Sequence, residues 1–309
     1  MLSFLLILSF LFLLAFPDIA FQGASTGITL WFQTVFPTLF PFFIINALLL
    51  RTGTIYKFSH ILSPAFAPFF GISGCSSYAV LCGFFCGTPV GAKVIVDLTA
   101  EKQISKAEGE YLLSFCNNTS PGFLIGFIFD RSLGMPYLAY ISLGILFLSA
   151  ILSSFLFRTM YDSDFVPQKH SPAYSGNSSL HFTTGLDESI WESMETILKI
   201  GGYIILFCVL LFSLKTLPIK HFVWNSIFLP FLELTNGVRM ITSQALDLSV
   251  KYVLLMALAS FGGVCAAFQT KCIIHKAGFS FFRYIKEKLI TAMVTSLLSL
   301  IFIFFYYKL

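Results

Sequence analysis

Charge is what this chain has least of: Asp, Glu, Lys and Arg together make 11% of its 309 residues, against about a quarter in soluble globular proteins. With 57% hydrophobic residues and a mean hydropathy of +0.85, that scarcity excludes an ordinary soluble domain. The net charge of +4 is dispersed rather than gathered in a basic block, which excludes a nucleic-acid footprint. None of the seven cysteines (Cys75, Cys82, Cys86, Cys116, Cys208, Cys265 and Cys272) makes the C-x-x-C spacing of a zinc or redox motif. They read as small apolar residues, although Cys82 and Cys86, four apart, can share a helix face and offer two soft ligands to a metal. The histidines (His60, His170, His181, His221, His275) are scattered and form no H-E-x-x-H, and no serine stands in a nucleophile elbow. Gly87 to Lys93 lacks the gap, the adjacent Gly-Lys and the following hydroxyl of a P-loop. Neither an enzyme, a resident metal nor a cofactor is expected.

What the chain does have is apolar runs of membrane length, at about 2 to 21, 27 to 50, 75 to 98, 110 to 129, 135 to 157, 192 to 214, 222 to 245, 252 to 274 and 284 to 307. The first has no preceding basic residue and no convincing cleavage site, so it reads as a retained helix kinked near Pro17. Residues 159–189 hold Asp162, Asp164, Pro167, Lys169, His170, Pro172, Ser175, Gly176, Asn177 and Ser178 and no apolar run. They form a polar linker between an N-terminal membrane half, 1–158, and a C-terminal half, 190–309. Glu188, Glu192 and Glu195 then read as first-turn and interface charges of the next helix.

Three polar clusters interrupt the oily sequence: Gly87-Thr88-Pro89-Val90-Gly91-Ala92-Lys93, Asn117-Asn118-Thr119-Ser120-Pro121-Gly122, and Glu233-Leu234-Thr235-Asn236-Gly237. Gly and Pro release backbone groups from the helical ladder, and amides, hydroxyls and charges lie beside them, which is how broken helices build a polar site at mid-depth in a bilayer. Gly87, Pro89 and Gly91 break the run from Cys75 to Leu98, and Gly262 and Gly263 break that from Lys251 to Ile274. Both runs are expected to be re-entrant hairpins, and Pro121, Gly122 and Gly237 to mark further breaks.

Lys93 is the sharpest residue, since an ammonium at mid-bilayer costs about 2.5 to 3.5 kcal/mol on insertion scales. It is expected either to pair with Asp97 one turn on or to contact solute. Glu233 is expected to neutralise Lys93 or Arg239 or to carry a proton. Asn117, Asn118, Thr119 and Ser120 offer donors and acceptors for a solute or for neighbouring helices. Gln33 to Gly53 lines up with Glu195 to Lys215, and Phe85 to Asp97 with Phe261 to Ile273, which sets Lys93 opposite Gln269. A repeated order of long helix and interrupted hairpin suits a transporter built from two structural repeats.

These motifs carry a resemblance. Gly83-Phe84-Phe85-Cys86-Gly87-Thr88-Pro89-Val90-Gly91-Ala92-Lys93, Phe115 to Phe123, Leu232 to Gly237, and Ser260-Phe261-Gly262-Gly263 followed by Gln269 occur in one order from about residue 30 to the C-terminus. Together they resemble the sporulation integral membrane proteins within the nucleoside-recognition or gate-domain group. One departure is the apolar Val264-Cys265-Ala266-Ala267 ahead of Gln269. The resemblance implies an all-helical polytopic fold like that of concentrative nucleoside transporters, in a bacterium that forms endospores. It implies a multi-pass protein of the mother-cell membrane around the forespore that moves dipicolinate, a dianionic aromatic carboxylate, toward the spore. Lys93, Asn117, Asn118, Thr119, Ser120, Glu233, Thr235, Asn236 and Gln269 are the expected solute contacts, with one half of the protein gating against the other. The expected partners are that small solute, the lipid bilayer and, as a further candidate, a second copy of the chain. A nucleoside or metal-ion transporter and a non-transporting scaffold of the sporulation machinery are the alternatives.

Overall fold

The computed structural model describes residues 2–161, 182–219 and 221–306, and every regular element among them is helical. Helix α1 (Leu2–Ala15) stops at Phe16, and Pro17 opens α2 (Pro17–Leu30) at a position where its missing N–H costs nothing. Helix α2 continues through a wide π turn at Trp31–Val35 into α3 (Phe36–Arg51). The predicted segments 2–21 and 27–50 are thereby redivided: the break falls at Phe16, and Pro17–Arg51 is one apolar stretch of 35 residues.

Helix α4 (Thr54–Phe70) lies between Gly53 and Gly71, both left-handed. Next come α5 (Ser76–Phe85), α6 (Val90–Ala100) and α7 (Lys106–Phe115), a wide π stretch at Phe123–Ser132, and α8 (Ala139–Tyr161). Helix α9 (Phe182–Lys215) starts the second half. Short π and 3-10 turns at Trp224–Phe228 and Pro230–Leu232 lead to α10 (Leu234–Ser243), α11 (Leu248–Phe261), α12 (Gly263–Ile274) and α13 (Phe281–Tyr306). Among the described residues, five stretches are long and apolar enough to cross a membrane: Pro17–Arg51, Pro136–Tyr161, Gly185–Lys215, Leu248–Ala277 and Phe281–Tyr306. The helices on either side of the predicted 159–189 linker run into it, to Tyr161 and from Phe182, and residues 162–181 lie outside the described ones. Glu188, Glu192 and Glu195 consequently sit in the body of α9, not in its first turn.

Contacts fix which ends lie together. Arg51 pairs with Glu188, a Cβ on Gly71 would meet the Arg158 guanidinium at 2.5 Å, the Ser280 amide donates to Glu110 Oε1 at 3.1 Å, and the Arg283 Nη1 stands 3.7 Å from Glu110 Oε2. The ends of α3 and α8 and the starts of α7, α9 and α13 therefore share one face of the bundle, termed here the Arg51 end. Helix α4, with both termini there, lies across it. Residues at Lys215, Ser243 and Asp247 mark the opposite end.

Two close approaches organise the packing. Gly23 and Gly27, four apart on α2, face the α9 backbone so closely that a Cβ would stand 2.7 Å from the Cα of Val209 and of Ile205. Such small-residue seams are how helices associate where lipid supplies no hydrophobic drive. Elsewhere hydroxyls stitch helices together: Thr295 Oγ1 lies 2.7 Å from Ser149 Oγ and 2.8 Å from Ser260 Oγ, and Ser142 Oγ lies 2.9 Å from the Tyr252 hydroxyl.

The first predicted hairpin is present, with α5 and α6 as its legs and a tip at Gly87 (φ 84°). The second is elsewhere. Helix α11 packs along α13 whereas α12 packs on α9 and α6, and Gly262 and Gly263 (φ 86° and 83°) break one long crossing helix rather than turning it back. The chain folds back instead over residues 222–243: the Gln244 Nε2 donates to Asn225 O at 3.0 Å and Ser226 Oγ to Gln244 Oε1 at 2.5 Å, which closes the base, and the tip is at Glu233. Segment 222–245, predicted to span, is this second hairpin.

Candidate functional site

Each hairpin tip meets a broken helix. Thr88 N donates to Asn118 O at 2.8 Å, where the chain runs without regular structure from Cys116 to Ser120 before helical turns resume at Pro121. Glycine permits the approach: a Cβ on Gly83 would fall 1.7 Å from the Cys116 carbonyl oxygen, and one on Gly91 would fall 2.5 Å from that oxygen and 2.7 Å from the Gly83 Cα. The second tip repeats this, since a Cβ on Gly237 would come 2.0 Å from Pro230 O, and Gly263 packs against Leu234 N and Phe231 O. Gly237 is thus a close-packing residue inside α10 rather than a helix break. Gly122 is no break either, being helical (φ −61°, ψ −39°) with nothing within 4 Å of where a Cβ would stand. Thr119 joins the two centres by donating to Ala259 O at 2.6 Å.

The amides of the first break are spent on protein. Asn117 Nδ2 donates to Thr270 Oγ1 at 3.1 Å and to the Tyr284 hydroxyl at 2.9 Å, while its Oδ1 is buried with no hydrogen-bond partner. Asn118 Nδ2 donates to Phe115 O at 2.6 Å, and the Ser120 hydroxyl accepts from Phe123 N at 3.3 Å, a cap for the resumed helix. Lys288, on α13, donates to Asn117 O at 2.9 Å and to Asn118 Oδ1 at 3.3 Å. The sequence hides this lysine at the edge of an apolar run, where it reads as a basic flank.

Glu233 neutralises neither Lys93 nor Arg239. Its carboxylate caps α10, accepting from Thr235 N at 3.0 Å, Asn236 N at 2.8 Å and Asn236 Nδ2 at 2.7 Å. An anion at a helix N-terminus satisfies amides that have no carbonyl to bind and faces the positive end of the helix dipole.

Lys93 stands one turn beyond the first tip, on α6, and is 7% exposed. Its ammonium lies 2.6 and 2.7 Å from the two Asp97 oxygens and 2.6 Å from Glu192 Oε1. Glu192 in turn faces the Arg51 Nη2 at 3.4 Å, and Lys199 pairs with Glu195. Lys93, Asp97, Glu192, Lys199, Gln269 and Lys276 line a cavity of about 160 Å³ between α6, α9 and α12 near the Arg51 end. Three lysines face two carboxylates there, and Lys276 has no ion-pair partner among the described residues. Lys93 and Gln269 share this cavity although the predicted alignment that set them opposite pairs a hairpin with a broken helix. Gln269 donates to Cys265 Sγ at 3.2 Å, which turns its amide along α12.

The predicted residues therefore do not gather at one point but line up along α12. Glu233, Thr235 and Asn236 lie beside its start at Gly263, Asn117 is bound to Thr270, and Lys93 shares the cavity with Gln269. From Gly263 to Gln269 the helix rises about 9 Å. Sequence reasoning does not single out Asp97, Glu192, Lys199 and Lys276 as solute contacts; the signal for them is a charge recurring inside apolar runs, as at Glu195 and Lys199, four apart. Cys82 faces Asn46 Oδ1 at 3.9 Å, and among the described residues no third His, Cys, Asp or Glu joins Cys82 and Cys86 in a metal-binding group.

Among the described residues the chain is all-helical, and its apolar helices are repeatedly interrupted. It is similar to the sporulation integral membrane protein YlbJ of Bacillus subtilis (strain 168). The two are 28% identical over 312 residues, covering 88% of this chain and 76% of that protein. No family model matches the chain, and no solved structure matches it. The distant relative and the five apolar stretches agree on a multi-pass integral membrane protein.

Proposed function

We propose that the chain is a membrane transporter of a small anionic solute, with an aromatic dicarboxylate of the dipicolinate kind as its cargo during endospore formation. The observation that carries this reading is the cavity of about 160 Å³ walled by Lys93, Lys199, Lys276 and Gln269. Its volume matches that of cavities that accept a single aromatic ring, and its lysines suit two carboxylates. The relative's name, a sporulation integral membrane protein, supports the setting, the mother-cell membrane around the forespore.

The element order supports two inverted repeats. Pro17–Arg51, hairpin α5–α6, the broken helix from Lys106 to Ser132 and α8 correspond in order to α9, hairpin 222–243, the broken helix α11–α12 and α13. One hairpin enters from the Arg51 end and the other from the opposite end, the arrangement of transporters that alternate access about a central site. The seam of Gly23 and Gly27 makes α2, α3 and α9 a frame, against which α6 and α12 move. Lys93 on α6 and Glu192 on α9 bridge that boundary, so a solute carboxylate that takes Lys93 from Glu192 loosens the frame from the hairpin as it binds.

Orientation follows from basic residues. Among the described residues near the helix ends, Arg51, Lys57, Lys102, Lys106, Arg158, Lys276, Arg283 and Lys286 lie at the Arg51 end, against Arg131, Lys215, Arg239 and Lys251 at the other. The positive-inside rule places the Arg51 end, and the cavity mouth with it, in the cytoplasm. The solute is loaded from that side.

The test is uptake of dipicolinate into proteoliposomes, with phthalate, benzoate and uridine as competitors, for the protein and for Lys93→Gln with Lys276→Gln. Saturable uptake, blocked by dicarboxylates and lost in the double variant at normal protein level, is expected. Uptake that is absent, or indifferent to both lysines, overturns the reading.

A further inference from the structure

We propose that Lys288 is a built-in monovalent cation, whose ammonium fills a carbonyl-lined seat at the break after α7 so that the seat takes no alkali ion from solution. Helix α7 ends at Phe115, and a helix C-terminus presents carbonyl oxygens and the negative end of its dipole. Within a bilayer those oxygens have no bulk water to turn to, and broken helices commonly offer them to a sodium ion or a proton.

Here the seat is filled from the opposite helix. Lys288 is 2% exposed and donates to Asn117 O at 2.9 Å and Asn118 Oδ1 at 3.3 Å. Asn118 is held for this task, because its Nδ2 donates to Phe115 O at 2.6 Å and leaves the amide oxygen as the acceptor. No carboxylate pairs with Lys288 among the described residues. The adjacent Glu287 is turned to the Tyr161 hydroxyl at 2.8 Å and the Arg283 Nε at 3.3 Å. Asn117 Oδ1, buried and without a donor, shows that the break holds more acceptor than the ammonium consumes.

A buried ammonium without a carboxylate costs several kcal/mol unless dipoles replace its water. A string of loosened carbonyls has the opposite need. Each removes the other's penalty, and a primary ammonium asks for the same oxygen ligands as a small alkali ion of equal charge. The side chain thus ties α13 to the break at a place where a diffusible ion would otherwise come and go.

The experiment follows the thermal unfolding midpoint of the full-length protein in detergent, in choline, sodium, potassium and methylammonium chlorides at one ionic strength. The unaltered protein is expected to keep one midpoint in all four salts. Lys288→Ala opens the seat: a fall of roughly 5 °C or more in choline is expected, with at least half regained in methylammonium or sodium, whereas choline is too large to enter. A Lys288→Ala midpoint equal in all four salts overturns the proposal. Should that variant not accumulate, Lys288→Ser decides in the same four salts: a midpoint higher in sodium or methylammonium than in choline supports the built-in cation, and one equal in all four overturns it.

Discussion

The two interrupted centres of this protein use one backbone device and opposite charges. At the first, the loose end of α7 is a set of carbonyls, and a lysine from α13 comes to it. At the second, the loose end is the start of α10, a set of amides, and Glu233 covers it from that helix's own cap position. Much of the polarity buried here therefore answers the helix interruptions themselves. To one side lies the cavity wall, where Lys93 and Lys199 are paired with carboxylates and Lys276 has no ion-pair partner among the described residues.

The largest expected effects are steric. Gly83 and Gly237 each sit against a carbonyl of the facing leg or break, so Gly83→Ala and Gly237→Ala are both expected to cost on the order of 3 kcal/mol or more. The expected readout is loss of protein from the membrane fraction, while Gly122→Ala, in open space and helical, accumulates normally. Next in size is the cap. Glu233→Ala strands two backbone amides and is expected to lose about 1 to 3 kcal/mol in thermal unfolding; Glu233→Gln keeps an acceptor and is expected to lose less. Equal losses in the two variants would mean that charge, and not capping, is what the second centre requires.

Asn117→Ala removes donors to Thr270 and the Tyr284 hydroxyl but also an orphan acceptor, so a loss of only about 1 kcal/mol is expected. Smallest in stability is Lys276→Gln, expected to fall within about 0.5 kcal/mol of the unaltered protein. Its effect belongs to the solute: binding measured by calorimetry is expected to weaken roughly threefold to tenfold, the scale of one partly exposed ion pair.

The all-helical membrane fold and the first hairpin were legible because composition and the Gly87 to Lys93 interruption are both strong local signals. The second hairpin was not. Gly262-Gly263 is the more conspicuous breaker, yet two left-handed residues there only offset a crossing helix, while the real reversal is made by an extended Glu233 with Pro230 and Gly237 packed behind it. Lys93 was legible as a lone cation in an oily run, and its bond to Asp97 followed from spacing. Its bond to Glu192 did not, since residues 99 positions apart meet only through tertiary packing. Lys288 was masked by its neighbours: beside Arg283, Lys286 and Glu287 it looks like the rim of a membrane segment, and only the position of the α7 break reveals an inward role.

The seam between α2 and α9 reaches further than its two glycines. Because backbone meets backbone there, no acyl chain can wedge between the helices, and the pair acts as a single strut. Glu192 and Lys199 ride on that strut. Any tug on the first long helix, from bilayer thickness or from a neighbour in the membrane, is delivered to one wall of the cavity about 10 to 25 Å along α9.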